Sequence, residues 1–353
     1  MRIPLLMIAL AAAAAAATVS LSGQEARSIF AYDRGRPFDV TVVGSEPRGA
    51  AVVTDLTCST LTRTRRAAYL VTPARTSAGG KPGILFVHWY EPANPTSSRK
   101  EFLPDAVELA GDGFVSLLVD TMWSDPEWFT NRDPETDLGR SIEQVKELRR
   151  ALDLLASRPG VDPSRLFYVG HDFGAMYGAL VAGLDGARLR AFVFMAGTES
   201  FSDWFLLWPK RDEAVRRQVI AALAPLDPPR HLATAGALPM LFQFATRDKF
   251  VTKAAAEAVA ASAQGPKDVR WYDAEHELNA DATRDRLAWL RQHATSQKQV
   301  GSDSTSRGVG EVESDPTAAF SLDALGGGGR DRQDGLRLAQ RLVDLLLARL
   351  GIS

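Results

Sequence analysis

The 353-residue chain has a single cysteine, Cys58, so no disulfide can form within it. Cys58 lies in the β-rich stretch "VVTDLTCSTL" and reads as a small sheet residue rather than a nucleophile. The five histidines lack the close His, Cys and carboxylate spacing of a metal site, and no metal is expected. Charge of one sign is missing too: 41 Lys and Arg face 43 Asp and Glu, which gives nucleic acid no electrostatic footing as a partner. The glycine-rich "LGGGGRD" has no strand before it and no Lys-Ser/Thr after it, so it is not a phosphate loop and no cofactor is expected. The chain has no internal repeats.

Long apolar runs are scarce. One follows Arg2, from Ile3 to about Ala17, and small polar residues come next. It is short and alanine-rich for a membrane span and reads as a secretory signal peptide over residues 1–23. The expectation is an exported protein, periplasmic or secreted, with no stable membrane insertion once the signal is removed. Residues 24–295 are expected to form the folded domain. Gly, Ser and charged residues dominate 296–334, which reads as a flexible linker. Residues 335–353 contain "LRLAQRLVDLLLARLGIS", an amphipathic helix suited to docking on the domain or to pairing with a second copy as a homo-oligomer.

The composition is otherwise that of a globular protein, 45% hydrophobic and 24% charged. Between Phe38 and Pro73, Val, Thr and Leu alternate as in two or three antiparallel strands. A buried strand at Ile84–Val87, a helix over Ser98–Gly111 and the strand "GFVSLLVD" follow. Ile142, Val145, Leu148, Leu152 and Leu155 have helical spacing within 138–158. "VDPSRLFYVG", "RAFVFMAG", "LPMLFQFAT" and "DVRWYDA" read as further strands, with helices over Lys253–Ala263 and Asp281–Thr295. This alternation predicts an α/β fold: a mostly parallel central sheet with helices on both faces. In such folds the site lies at the carboxyl ends of the strands.

Three residues fall at such ends. In "YVGHDFGAMYG", Gly170 and Gly174 permit a sharp strand-to-helix turn with Asp172 at its apex, where many hydrolases carry serine. The plainer reading makes Asp172 a helix N-cap. Asp248 follows "MLFQFAT" and His276 follows "VRWYDA". Nucleophile position, acid and histidine thus occur in the chain order of a hydrolase triad, and Asp172, Asp248 and His276 are the candidate catalytic residues. The loop "FVHWYEP" offers the Trp89 or Tyr90 N–H, which with the Phe173 N–H would form an oxyanion hole. His88 and His171 flank strand ends and are suited to shaping loops. His88, Trp123, Trp128, Trp204 and Trp208 are candidates for the substrate pocket, and Tyr90 is the best-placed proton donor.

On these motifs residues 38–295 resemble the α/β-hydrolase superfamily. The layout around "VDPSRLFYVGHDFGA", with a short segment between the strands "RAFVFMAG" and "LPMLFQFAT", is similar to dienelactone hydrolases and acetyl esterases. "GHDFGA" itself resembles the elbow of epoxide hydrolases and haloalkane dehalogenases, which implies that Asp172 is a nucleophile. The chain departs from those two families in one respect. Where a cap would sit, 197–238 holds one or two short helices at most and no tyrosine.

A carboxylate attacking an ester carbonyl would give a high-energy anhydride. Attacking a saturated carbon with a leaving group, it gives an ordinary ester that water can cleave. The expected function is therefore an exported hydrolase of a small-molecule epoxide or haloalkane, working through an Asp-linked ester. Two alternatives stand beside it. One is a dienelactone hydrolase-like esterase or lactonase in which Asp172 or His276 activates water. The other is a non-catalytic binding protein on the same scaffold.

Overall fold

The computed structural model describes residues 28–75 and 79–295. The expected signal segment, linker and terminal helix lie outside the described residues. Nine strands form one sheet: β1 (Thr41–Arg48), β2 (Ala51–Ser59), β3 (Arg65–Pro73), β4 (Lys81–Val87), β5 (Val115–Val119), β6 (Val161–His171), β7 (Leu189–Met195), β8 (Met240–Ala245) and β9 (Lys267–Tyr272). Their order is β1-β2-β3-β5-β4-β6-β7-β8-β9. The first three pair antiparallel, β3 meets β5 antiparallel, and every pairing from β5 to β9 is parallel.

The parallel strands are apolar without interruption because both faces are covered. In β4, Leu85 and Val87 enter one core while Ile84 and Phe86 enter the other. Leu166 and Tyr168 of β6 alternate in the same way with Phe167 and Val169. Each large side chain so buried stabilises the fold by roughly 1.5–3 kcal/mol. At the sheet's edge all eight residues of β1 are exposed, consistent with its one-sided pairing.

The helices are α1 (Leu103–Gly111), α2 (Trp128–Asn131), α3 (Asp137–Ala156), α4 (Phe173–Asp185), α5 (Phe201–Phe205), α6 (Glu213–Leu223), α7 (Pro228–Leu232), α8 (Lys253–Ser262) and α9 (Ala280–Thr295). Helix α1 starts five residues later than its sequence pattern predicts. Pro104 sits in its first turn, where a missing N–H costs nothing, and turns precede it. Among the described residues no helix is long and apolar enough to cross a membrane.

The segment after β7 holds three short helices, not one or two. The Asp212 carboxylate caps α6 by accepting the Val215 N–H at 2.9 Å, and Pro228-Pro229 opens α7 as a separate turn. There is still no large cap domain. Arg132 clasps this segment to the loop before α3: it donates to Phe129 O at 2.6 Å, to Phe205 O at 2.5 Å and to Trp208 O. Asp137 pairs with the same guanidinium at 3.1 Å. Burial lifts the Asp137 carboxyl to about 6 despite the opposing Arg132 charge.

Candidate active site

Asp172 links β6 to α4 with φ 56° and ψ −121°, a backbone that an L-residue adopts only under strain. Two close approaches force the turn. A Cβ at Gly170 would collide with the Gly174 carbonyl, and one at Gly174 would collide with the Val87 carbonyl. Asp172 holds the N-cap position, yet its side chain makes no capping hydrogen bond. Its Oδ2 instead accepts the Tyr90 N–H at 2.7 Å, while its Oδ1 lies 3.8 Å from His276 Nε2, an ion-pair separation. The carboxylate is therefore aimed across the strand ends and not back onto its own helix.

His276 is oriented from its other side: Nδ1 lies 2.8 Å from Asp248 Oδ2. Asp248 Oδ1 accepts the Phe250 and Val251 N–H groups at 2.8 and 3.0 Å, which fixes the carboxylate plane. It does not cap α8; Thr252 does, accepting the Ala255 N–H at 3.2 Å. The structure thus brings Asp172, His276 and Asp248 together, with Asp172 and His276 buried and Asp248 half-buried.

Charge follows from this geometry. Burial alone would push the His276 imidazole down, but hydrogen bonding and charge from Asp172 and Asp248 outweigh it and lift the ring to about 10. Burial alone would raise the Asp248 carboxyl, but the His276 cation and the two loop N–H groups hold it below the ordinary range. At neutral pH the His276 ring is therefore an imidazolium.

The Trp89 and Tyr90 N–H groups have different acceptors, and Glu101 provides one of them. Its Oε2 takes the Trp89 N–H at 2.7 Å, leaving the Tyr90 N–H as the donor on Asp172. Phe173 begins α4, so its N–H is one of the helix's unpaired leading donors. The Tyr90 hydroxyl points elsewhere, donating to Pro126 O at 2.7 Å, which corrects its placement as the proton donor.

The proposed pocket residues divide. Trp128 and Trp204 pack edge-on against Phe173, and Trp204 also meets the His276 ring edge-on at 6.3 Å. Trp208 is 49% exposed at the rim. Trp123 is instead fully buried, stacked on Tyr177 at 5.1 Å with its N–H on His88 O, and so belongs to the core rather than the pocket. His88 is equally enclosed. Its Nδ1 lies 2.7 Å from Trp89 O, and its Nε2 lies 2.8 and 3.0 Å from the Ser124 and Thr121 hydroxyls. Burial drives the His88 ring down to about 3, so it is a neutral brace for the loop and not pocket lining.

Three contributors have no sequence motif. Glu101 reaches the site from the loop before α1, and Arg132 clasps the rim. Phe250 stands 52% exposed, edge-on to His276 at 5.1 Å; its only signal is its position two residues after Asp248. Among the described residues five buried side-chain N or O atoms lack a hydrogen-bond partner, and two of the five are the indole nitrogens of Trp89 and Trp204, whose rings flank His276. Among the described residues no three His, Cys, Asp or Glu side chains converge to hold a metal ion.

No protein-family model matches the sequence, and no curated protein matches it either. Solved structures do match the backbone. An acetyl xylan esterase from Paenibacillus sp. R4 superposes with a TM-score of 0.62 at 19% identity, over 76% of this chain and 92% of that one. Acetyl xylan esterase 1 from Thermoanaerobacterium sp. JW/SL YS485 gives 0.59 at 15% identity, over 78% and 99%. An S-formylglutathione hydrolase from Agrobacterium tumefaciens gives 0.53 at 14%, over 72% and 99%. With its sheet order, its elbow and these neighbours, the chain has the α/β-hydrolase fold, in a form without a large cap domain.

Proposed function

We propose that this protein is a hydrolase whose Asp172 attacks a saturated carbon and displaces a leaving group. The observation that carries this reading is the division of labour at the carboxylate. Oδ2 already occupies the Tyr90 N–H donor, while Oδ1 is turned toward His276 Nε2, 3.8 Å away. Attack by Oδ1 gives an alkyl ester whose carbonyl oxygen is Oδ2, held where a tetrahedral oxyanion must be stabilised. One such donor contributes roughly 3–4 kcal/mol to the transition state.

The electrostatics supply the order of events. In the resting site His276 is a cation and cannot accept a proton. Esterification removes the Asp172 charge, which is one of the two charges that hold the ring protonated. The ring then releases its proton to solvent, matching the departed anion, and becomes the base that takes a proton from water as that water attacks the ester carbonyl, with Asp248 stabilising the imidazolium that re-forms. Collapse of the tetrahedral intermediate releases the alcohol and restores the carboxylate.

A halide is the leaving group that the surroundings favour. An epoxide oxygen needs a proton, and the tyrosines at this end of the sheet are committed: Tyr90 to Pro126 O, Tyr168 to Gly174 O, Tyr177 to Ser141. A halide needs only hydrogen-bond donors, and the Trp89 and Trp204 indole N–H groups are unpartnered. The esterases of like fold favour a second reading, ester or lactone cleavage. Against it, Asp172 Oδ2 fills the donor that an ester's own oxyanion would need.

Intact-mass spectrometry after incubation of the His276→Ala variant with a panel of bromoalkanes and epoxides tests the proposal. The expected result is one stable alkyl adduct, mapped to Asp172. No adduct across the panel, together with esterase turnover that survives Asp172→Ala, would overturn it.

A further inference from the structure

Beyond the triad, one His–Glu pair, His171 buried and Glu101 half-buried, touches both halves of the site and takes no direct part in the chemistry above. His171 is 1% exposed and directly precedes Asp172. Its Nδ1 lies 2.6 Å from Glu101 Oε1, and its Nε2 lies 3.0 Å from the His276 backbone carbonyl. The other oxygen of Glu101 takes the Trp89 N–H at 2.7 Å. The Trp89 ring stacks face to face on His171, with centroids 5.1 Å apart and planes 9° from parallel.

The donors and acceptors on this path can be counted. A carbonyl can only accept, and Glu101 as a carboxylate accepts from both Trp89 and His171. Both His171 nitrogens therefore face oxygens, Nδ1 that of Glu101 and Nε2 that of the His276 main chain. A buried ring stacked on an indole with both nitrogens in hydrogen-bond contact is held in one orientation. The resulting path runs from the loop carrying the Tyr90 N–H, through Glu101 and His171 beside the elbow, to the main chain of His276.

We infer that Glu101 and His171 are positioning residues, which set the oxyanion donor and the base in one frame relative to Asp172. Neither needs to touch substrate. Glu101 anchors Trp89 and thereby aims the next N–H, that of Tyr90, at Oδ2. His171 anchors the His276 backbone and so fixes the ring's reach to both Asp172 and Asp248. A misplacement of about 1 Å at either point costs on the order of 100-fold in rate.

The test compares Glu101→Gln and His171→Gln with Leu152→Ala, a core variant remote from the path. Two quantities are read: turnover per folded molecule, and the His276 titration midpoint by NMR. The second requires no substrate, so it holds whether or not Asp172 proves to be the nucleophile. Both path variants should lower turnover about 100-fold and move the His276 midpoint down from about 10 as its carboxylate contacts loosen. Leu152→Ala should lose stability while leaving both quantities unchanged. Should His171→Gln fail to fold, Glu101→Gln and the shorter Glu101→Asp carry the test. Wild-type midpoint and wild-type turnover in the folded path variants would overturn the inference.

Discussion

His88 and His276 both stand just beyond strand ends of the same sheet, 1% and 9% exposed, and they carry opposite charge states. His88 meets two hydroxyls and a carbonyl, and burial drives it down to about 3. His276 meets two carboxylates, and although burial opposes protonation there too, the ring rises to about 10. Enclosure in apolar surroundings thus sets a default, and the formal charge of the partners decides whether the default holds. One region holds a neutral ring and the other a charged one, built from the same residue type and both buried.

Removing a partner should disturb the second region most. Asp172→Asn is expected to lower turnover by at least about 10³-fold and to bring the His276 midpoint down, as followed by NMR across the alkaline range. A midpoint that stays near 10 would mean that the carboxylates are not what separates the two histidines. Asp248→Asn should come next, with kcat falling by roughly 10³- to 10⁴-fold because the ring loses its orientation and its stabilising charge. The His88→Gln variant in the same assay should retain turnover within a few-fold.

Stability against pH sharpens the contrast, because the signs are opposite. His276 is raised above 6.5, so its contribution is full below pH 6.5 and is lost as pH rises through about 10. His88 is depressed below 6.5. Its contribution is full above pH 6.5 and is lost as pH falls toward 3, since the unfolded chain takes up a proton that the folded one refuses. Denaturant midpoints of wild type against His88→Gln and His276→Gln should therefore diverge in opposite directions, at no more than about 1.4 kcal/mol per pH unit. Parallel profiles would mean that the two rings are not shifted in opposite directions. The smallest effect expected is that of Phe250→Ala, which strips an exposed ring from the edge of His276. KM should rise a few-fold with kcat nearly unchanged, read from initial rates.

The elbow was legible in the sequence because its constraints are local: two glycines, a strand before and small residues after. Asp248 and His276 were legible because each follows an apolar run, and chain order supplies the rest. Charge states were not legible, since the His276 cation depends on carboxylates 104 and 28 positions away that meet only in the folded sheet. For Trp123 and His88 the sequence offers no periodicity to tell which way a loop side chain turns; both turn into the core. Glu101 carries no local signal at all, being 70 positions from His171 and 12 from Trp89.

That single carboxylate has a consequence for how the protein can change. The loop that carries Tyr90 and the loop that carries His276 share Glu101 through His171, so neither can be rebuilt without shifting the other. Substitutions chosen separately for the two loops will not combine as the sum of their effects. Directed evolution toward a new substrate would succeed by varying both loops in one library, and laboratory lineages that alter one loop first should acquire their next change in the other.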